Sequence, residues 1–498
     1  MRTVLFLIFR QGTRRNHPQN ENVQNMNYLI LLIVIMTSYA ASAQTAKAHY
    51  QKGNELLKEK NYSAAISSYD AAISMDSTYV FAYNNKGRAC YEGAKAEQVI
   101  PGERMKKLKE NLYLEGKEAF DKVIELSPKD ADAHYNRARC YWAMNYFENS
   151  IIDYTSTLEL DPKHLDAYYN RGLAYQEVNR NEDAIGDFNK VLELRELSAN
   201  ASGKYEDIYT LLAFSKRLSG QFDLALLDLE KAIELNPKDA SAYYHRGIIK
   251  AGTDAPEAGL LDLTKAIQLD PTYTKAYYQR GLTYRMQKDY KNALKDFSKV
   301  IETSPKANMG YISRGYTYAN MGKAKDAIKD YDKALAINPK DAATHIRKGY
   351  ANIDLKAYDV AVLDFTAAVD LKSPFSSYAY NNRGNAKRLL KDYEGALADV
   401  NQSLQMDSLN AFAYSNRGLI LMDKGLQDAA VQDLDRAVEL NNQVAEFYYN
   451  RGNYYLNLKK YDKATADYSK SVELSPEYKQ KEIQKLLKVA KKGFLSGE

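Results

Sequence analysis

The chain has 498 residues, of which 45% are hydrophobic and 27% charged, and its formal net charge is +5. Both fractions are ordinary for a soluble protein. The charge balance excludes the footprint of a nucleic-acid binder, which needs Lys and Arg clustered on one face.

The first 43 residues stand apart from the rest. Tyr28 to Met36 is an apolar run of nine, followed by Ala41-Ser42-Ala43, a small-x-small pattern. Length and flanks read as a secretory leader removed after Ala43, leaving Gln44 first. The alternative is an uncleaved N-terminal anchor. If Met26 is the true start, residues 1–25 are a start-site artefact; otherwise Arg14 and Arg15 supply the basic region of a longer leader. Taking the leader's four Arg and one Glu from 69 basic and 64 acidic residues leaves a net charge near +2.

From residue 44 a small residue recurs: Gly53, Gly87, Ala138, Gly172, Ala213, Gly247, Gly281, Gly315, Gly349, Gly384, Gly418 and Gly452. Eight of the eleven intervals are 34 residues and the others are 35, 41 and 51. A fixed period in this range marks a solenoid. In the unit Thr274 to Ala307, apolar and small residues fall at helical spacing on both sides of a break at Lys288-Asp289. The unit is therefore two short antiparallel helices, A and B, with Pro305 near the start of the next because proline cannot sit inside a helix. Gly281 and Ala293 are small so that the helices can cross closely.

This pattern resembles the tetratricopeptide repeat. Its residues here are Tyr277, Gly281, Tyr284, Ala293, Phe297 and Pro305, and the same positions fill in around Gly172, Gly315 and Gly452. The resemblance covers residues 44–478 as twelve units and implies an all-α, right-handed α-solenoid. Insertions fall near 93–117 and 195–204. The first is rich in Lys and Glu (Glu103 to Asn111) and could extend helix. Residues 479–498 carry a basic run with Ile483, Leu486, Leu487 and Ala490 at helical spacing, which reads as a capping helix. With 42 Tyr against 14 Phe and one Trp, most tyrosines belong to core positions.

Two ladders follow the repeat. Helix A often reads Tyr-Tyr-Asn-Arg-Gly. The resemblance implies that helix A lines a concave groove faced by Tyr135, Tyr169, Tyr244, Tyr278 and Tyr449, by Asn136, Asn170, His245, Gln279, Asn382, Asn416 and Asn450 one position on, and by Arg139. Amides there can hydrogen-bond an extended peptide, and tyrosine offers rigid area with a polar tip. The competing reading is that these side chains only brace neighbouring helices. The second ladder is Asp153, Asp187, Asp228, Asp262, Asp296, Asp330, Asp364, Asp399, Asp433 and Asp467 in helix B, against a basic residue just before the small residue in helix A. Each Asp is expected to pair with an Arg of its own or the next helix A, a structural role suited to the guanidinium fork. Leu212 breaks that ladder.

The family's carboxylate clamp is matched only partly, by Lys47, Asn54 and Asn85, and Asp132 stands where a second Lys is wanted. There is no His-Glu-x-x-His, phosphate-binding glycine loop or Gly-x-Ser-x-Gly, and six histidines lack metal-ligand spacing. Cys90 and Cys140, in adjacent A helices, are expected to be buried thiols rather than a disulfide. The reading is a non-catalytic scaffold without cofactor, metal or small-molecule substrate. It holds a protein or peptide segment in the groove, in the periplasm or envelope of a bacterium. The alternative is an assembly factor of a membrane-associated complex, acting through the convex face and the 93–117 insertion.

Overall fold

A computed structural model describes residues 18–96, 103–196, 206–253 and 255–496, and every regular element among them is an α-helix. The chain forms two compact units, residues 1–245 and 246–498. The first holds α1 (Pro18–Lys58), α2 (Tyr62–Met75), α3 (Val80–Ala96), α4 (Glu103–Leu126), α5 (Ala131–Ala143), α6 (Phe147–Leu160), α7 (Leu165–Glu177), α8 (Asn181–Glu196), α9 (Ile208–Leu218) and α10 (Phe222–Leu235). The division falls inside α11 (Ala240–Ala251). The second continues with α12 (Pro256–Leu269), α13 (Thr274–Met286), α14 (Tyr290–Thr303), α15 (Asn308–Asn320), α16 (Ala324–Ile337), α17 (Ala342–Asp354) and α18 (Tyr358–Asp370). It ends with α19 (Ser376–Leu389), α20 (Tyr393–Met406), α21 (Ala411–Asp423), α22 (Gln427–Leu440), α23 (Ala445–Asn457), α24 (Tyr461–Leu474) and α25 (Gln480–Ser496). Odd-numbered helices up to α23 are A helices and even-numbered ones are B helices, so each unit is an α-solenoid of helical hairpins.

The hairpins turn where the sequence breaks. Lys288 adopts a left-handed φ of 60°, and the Asp289 N–H reaches back to the Tyr284 carbonyl at 2.8 Å. This closes the end of helix A as a left-handed cap does. Lys60, Lys356, Lys391 and Lys459 repeat that conformation, and Gly220, Gly322 and Gly425 supply it elsewhere without a side-chain penalty. Between B and the next A, Asp270 is extended (φ −130°, ψ 95°), as the following Pro271 demands. Its carboxylate accepts from the Thr272 N–H and hydroxyl, which holds its pKa below the usual range.

Helix A crosses helix B through the small residue. A Cβ on Gly172 would lie 2.5 Å from Phe188 Cε1, and one on Gly281 would lie 2.8 Å from Phe297 Cε1. Phe188, Phe297 and Phe365, with Tyr69, Tyr331 and Tyr468 in the same position, are among the largest fully buried side chains.

The acid–base ladder binds each hairpin to itself and to the one before. Arg280 donates through Nε and Nη2 to both carboxylate oxygens of Asp296, at 2.8 and 2.7 Å. Its Nη1 donates to Thr264 of the preceding B helix at 3.0 Å. Arg137, Arg171, Arg314, Arg383, Arg417 and Arg451 repeat this three-way clamp, reaching back to Asp121, Thr155, Ser298, Thr366, Asn401 and Asp435. Every Asp thus pairs within its own hairpin. Arg280 lies between the rings of Tyr277 and Tyr284, 5.7 and 5.9 Å from their centroids, so the repeat's tyrosines flank the cation they shield. Where Leu212 removes the Arg, Lys216 one helical turn later pairs with Asp228 at 2.7 Å.

Residues 103–117 of the first insertion are helical and lengthen α4 to 24 residues, while residues 97–102 lie outside the described residues. Residues 197–205, which hold most of the second, lie outside the described residues. Helix α1 runs for 41 residues without a break across Ala43. From Met26 to Lys58 it is long and apolar enough to cross a membrane, with a mean hydropathy of 1.7 over a window only 6% buried. It docks on α2 from Ser42 onward: the Ser42 hydroxyl donates to the Met75 carbonyl at 3.0 Å, and Ala46 is buried. At the other end α25 buries Ile483 and Ala490 against Tyr449 and Tyr468. Cys90 and Cys140 are free thiols in the core, and burial pushes the Cys140 pKa up to about 12.

Candidate functional site

Within each unit successive A helices touch one another: α1 and α3, then α3 and α5, in the first; α13 and α15 through to α21 and α23 in the second. Hairpins that close up on the A side present those helices as an inner face. The residues expected there are mostly engaged in holding it together.

Most of the bracing follows one rule. The residue two places before the small residue donates to the residue three places before it in the preceding hairpin. Asn170 Nδ2 donates to the Tyr135 hydroxyl at 3.0 Å, Asn416 Nδ2 to Asn381 Oδ1 at 2.9 Å, and Asn450 Nδ2 to Ser415 Oγ at 3.0 Å. Asn85 Nδ2 donates to the Tyr50 hydroxyl at 3.2 Å, and Ser313 to the Tyr278 hydroxyl at 3.4 Å. Asn382, 7% exposed, accepts from the Tyr350 hydroxyl at 2.9 Å. These amides form a seam between A helices.

The other candidates are similarly placed. Burial pushes the Tyr135 pKa up to about 12. Arg139 lies 4.0 Å from the Tyr91 ring centroid and donates to Asn136 and Glu92. The Tyr169 hydroxyl donates to Asp207 at 2.8 Å. Tyr244 packs against His245, which is buried and also meets Phe214. Tyr449 is buried, donates to Glu482 at 2.7 Å and lies under Lys479. Gln279 is half-buried. The structure therefore brings the tyrosines and amides together along the inner face, but turned toward one another.

What the inner face of the second unit leaves open is a different set. Tyr316 and Tyr350, directly after the small residue of α15 and α17, are 42% and 50% exposed. Met309, Tyr378 and Phe412, six places before it in α15, α19 and α21, are 45%, 50% and 43% exposed. For Met309, Tyr378 and Phe412 the signal in the sequence was an apolar residue where most other repeats carry a polar one, such as Lys47, Asp132, Asp166, Lys275 and Glu446. Two carboxyls accompany them. Burial raises the Glu446 pKa and Lys479 opposes it, while burial alone raises that of Asp354. Glu446 also acts on the Tyr350 hydroxyl, whose pKa burial raises. Among the described residues no group of three His, Cys, Asp or Glu could hold a metal ion.

Comparison with known proteins bears on this fold. Family models of the tetratricopeptide repeat match residues 46–79, 131–164, 154–186, 274–306, 309–341 and 445–478, and a TPR repeat model matches 216–252 and 418–459. Together they span about half of the chain. No curated protein matches the sequence. Among solved structures, yeast Tom70 is 18% identical with a TM-score of 0.41, over 91% of this chain and 96% of that one. Cut9–Hcn1, a hetero-tetramer of the APC/C, is 15% identical with a TM-score of 0.42, over 89% and 96%. A tetratricopeptide repeat protein from Parabacteroides merdae is 19% identical with a TM-score of 0.44, over 50% and 98%.

Proposed function

Because the chain belongs to the tetratricopeptide-repeat family, we propose that it is a non-catalytic scaffold holding a protein or peptide segment along the inner face of its A helices. One observation carries this reading. The inner face of the second unit leaves Met309, Tyr316, Tyr350, Tyr378 and Phe412 half exposed, while its amides are spent on bracing. Exposed aromatics grouped on a concave, pre-braced surface are what a binding face needs, because they supply contact area with little side-chain freedom to lose.

The proposal includes the place. The apolar run Tyr28 to Met36 and the Ala41-Ser42-Ala43 pattern support export to the envelope of a bacterium, with cleavage after Ala43. The uninterrupted helix α1 supports the alternative, an anchored chain.

A second reading keeps the partner on the outside. The elongated α4 leaves Leu108 and Leu114 exposed and, with Tyr62 and Ile66 of α2, lines a cleft of about 650 Å³. A membrane-associated complex assembled there would not need the inner face.

The test is a crosslinking pull-down of the full chain from envelope extracts. Loss of the partner in the Tyr350→Ala, Phe412→Ala double variant supports the first reading, and loss on deleting residues 97–112 supports the second. N-terminal sequencing of the recovered protein separates a Gln44 terminus from an intact one.

A further inference from the structure

Helix α25 carries five lysines, Lys481, Lys485, Lys488, Lys491 and Lys492, against one acid, Glu482. Elsewhere in the chain such lysines are paired. Near the ends of α4, α8, α10, α14 and α24, Lys122, Lys190, Lys231, Lys299 and Lys470 each meet a Glu three residues on, at 2.6–2.9 Å. Three residues after Lys481, Lys485 and Lys488 stand Gln484, Lys488 and Lys491. Glu482 is engaged by the Tyr449 hydroxyl, which donates to it at 2.7 Å. Among the described residues no carboxylate pairs with any of the five.

Their placement sorts them by side. Each residue advances about 100° around an α-helix and about 1.5 Å along it. Ile483, Leu486, Leu487 and Ala490 thus share the side that packs on the last repeat, where Ile483 and Ala490 are fully buried beside Tyr449 and Tyr468. Lys481, Lys485, Lys488 and Lys492 fall within about 60° of one another on the opposite side, in a straight row about 16 Å long. All four are exposed, and Val489 beside them is 49% exposed. A cap needs only a polar outer face, and a face made for water mixes both signs. This one holds a single sign, with Lys481 and Lys485, and Lys488 and Lys492, at the four-residue spacing where like charges cost stability.

We propose that the lysine row of α25 docks the chain on an anionic lipid surface, its ammonium groups set among the headgroup phosphates. A lysine is a point charge on a mobile stem and meets phosphates in any order, whereas a guanidinium fork reads a fixed pair of oxygens. The chain uses arginine forks inside its hairpins and places no arginine on α25. A straight row on the outer side of the cap lets a flat surface reach all four charges at once. Acidic protein or nucleic acid would meet the same charge. Lipid is favoured by α1, whose apolar stretch is long enough to cross a membrane and only 6% buried, so the chain already has one lipid-seeking segment. The proposal goes beyond the inner-face reading and does not depend on it.

The test is amine footprinting of the full chain on vesicles of phosphatidylcholine alone and of phosphatidylcholine with phosphatidylglycerol, an acidic lipid. Helix α1 meets both kinds, so the comparison isolates charge. Acetylation of Lys481, Lys485, Lys488 and Lys492 should slow about fivefold on the acidic vesicles and recover as salt is raised. Lys329 of α16, 77% exposed, should keep its rate. Each lysine near such a surface strengthens binding about fivefold, so a Lys481→Gln, Lys485→Gln, Lys488→Gln, Lys492→Gln variant should lose at least about tenfold in preference for acidic vesicles. Its melting should not change, because the four hold no ion pair, and arginine at the same positions should keep the preference. If the glutamine variant melts early, the footprint of the natural chain across the salt series decides alone. Equal labelling on both kinds of vesicle would overturn the proposal. Protection by polyglutamate or duplex DNA, without protection by acidic vesicles, would also overturn it and assign the row to another polyanion.

Discussion

Arg280 and Asp296 are joined by two parallel hydrogen bonds across one helical hairpin, with the carboxylate 2% exposed and the guanidinium 14%. Removing the acid leaves a half-buried cation with one remaining partner, the Thr264 hydroxyl. Asp296→Ala should cost about 3 kcal/mol, the range for breaking rather than replacing a shielded pair. Because each hairpin leans only on its neighbours, the loss should appear first as faster hydrogen exchange in α12 to α15. Unchanged exchange there would refute the structural role of the ladder.

Gly172 tests the helix crossing. Alanine in the middle of a helix normally improves stability by up to about 1 kcal/mol. Here its Cβ would stand 2.5 Å from a Phe188 ring atom, and overpacking of that kind costs about 1–3 kcal/mol. Gly172→Ala should therefore destabilise, and adding Phe188→Leu should recover part of the loss. A stabilised single variant in urea unfolding would mean that the ring has room to move.

Lys216 performs at Asp228 what an arginine performs elsewhere. Burial pushes the Asp228 pKa up and Lys216 pulls it back. Lys216→Ala should destabilise the α9–α10 hairpin by about 3 kcal/mol. Introducing Leu212→Arg into that variant restores the ladder's usual cation at its usual position, and thermal melting should rise again. Failure of the rescue would show that the backbone at α9 does not present residue 212 to Asp228.

Glu446 carries a pH signature. Burial raises its pKa against the pull of Lys479, so the folded chain holds this proton more tightly than the unfolded one. What the group adds to stability is complete below the ordinary glutamate range, near 4.3, and is lost as pH rises through the raised value. Glu446→Gln removes that dependence, so the variant should gain on the natural chain as pH climbs from about 4 to 7. Parallel melting curves across that interval would contradict the shift.

Much of this architecture was legible in the sequence, and for a physical reason. Gly281, Ala293, Phe297, Arg280 and Asp296 all act within one hairpin, so their spacing along the chain is their geometry. The seam between A helices was not legible in the same way. Asn170 and Tyr135 meet only because one hairpin is rotated against the next, an angle no spacing states, and so residues expected to face a ligand turn out to face each other. Lys216 escaped notice because its rescue comes from the next helical turn rather than the ladder position.

The clamp has a further consequence for how such a chain can change. Arg314 finds Asp330 16 residues ahead and Ser298 16 residues behind. Excising residues 265–298 would give it Thr264 in place of Ser298, one hydroxyl for another, and would take Arg280 and Asp296 out together. Gain or loss of a whole 34-residue module strands no ion, whereas a slip of half that length would strand several. Duplication can therefore reshape this protein's reach while each junction stays chemically complete.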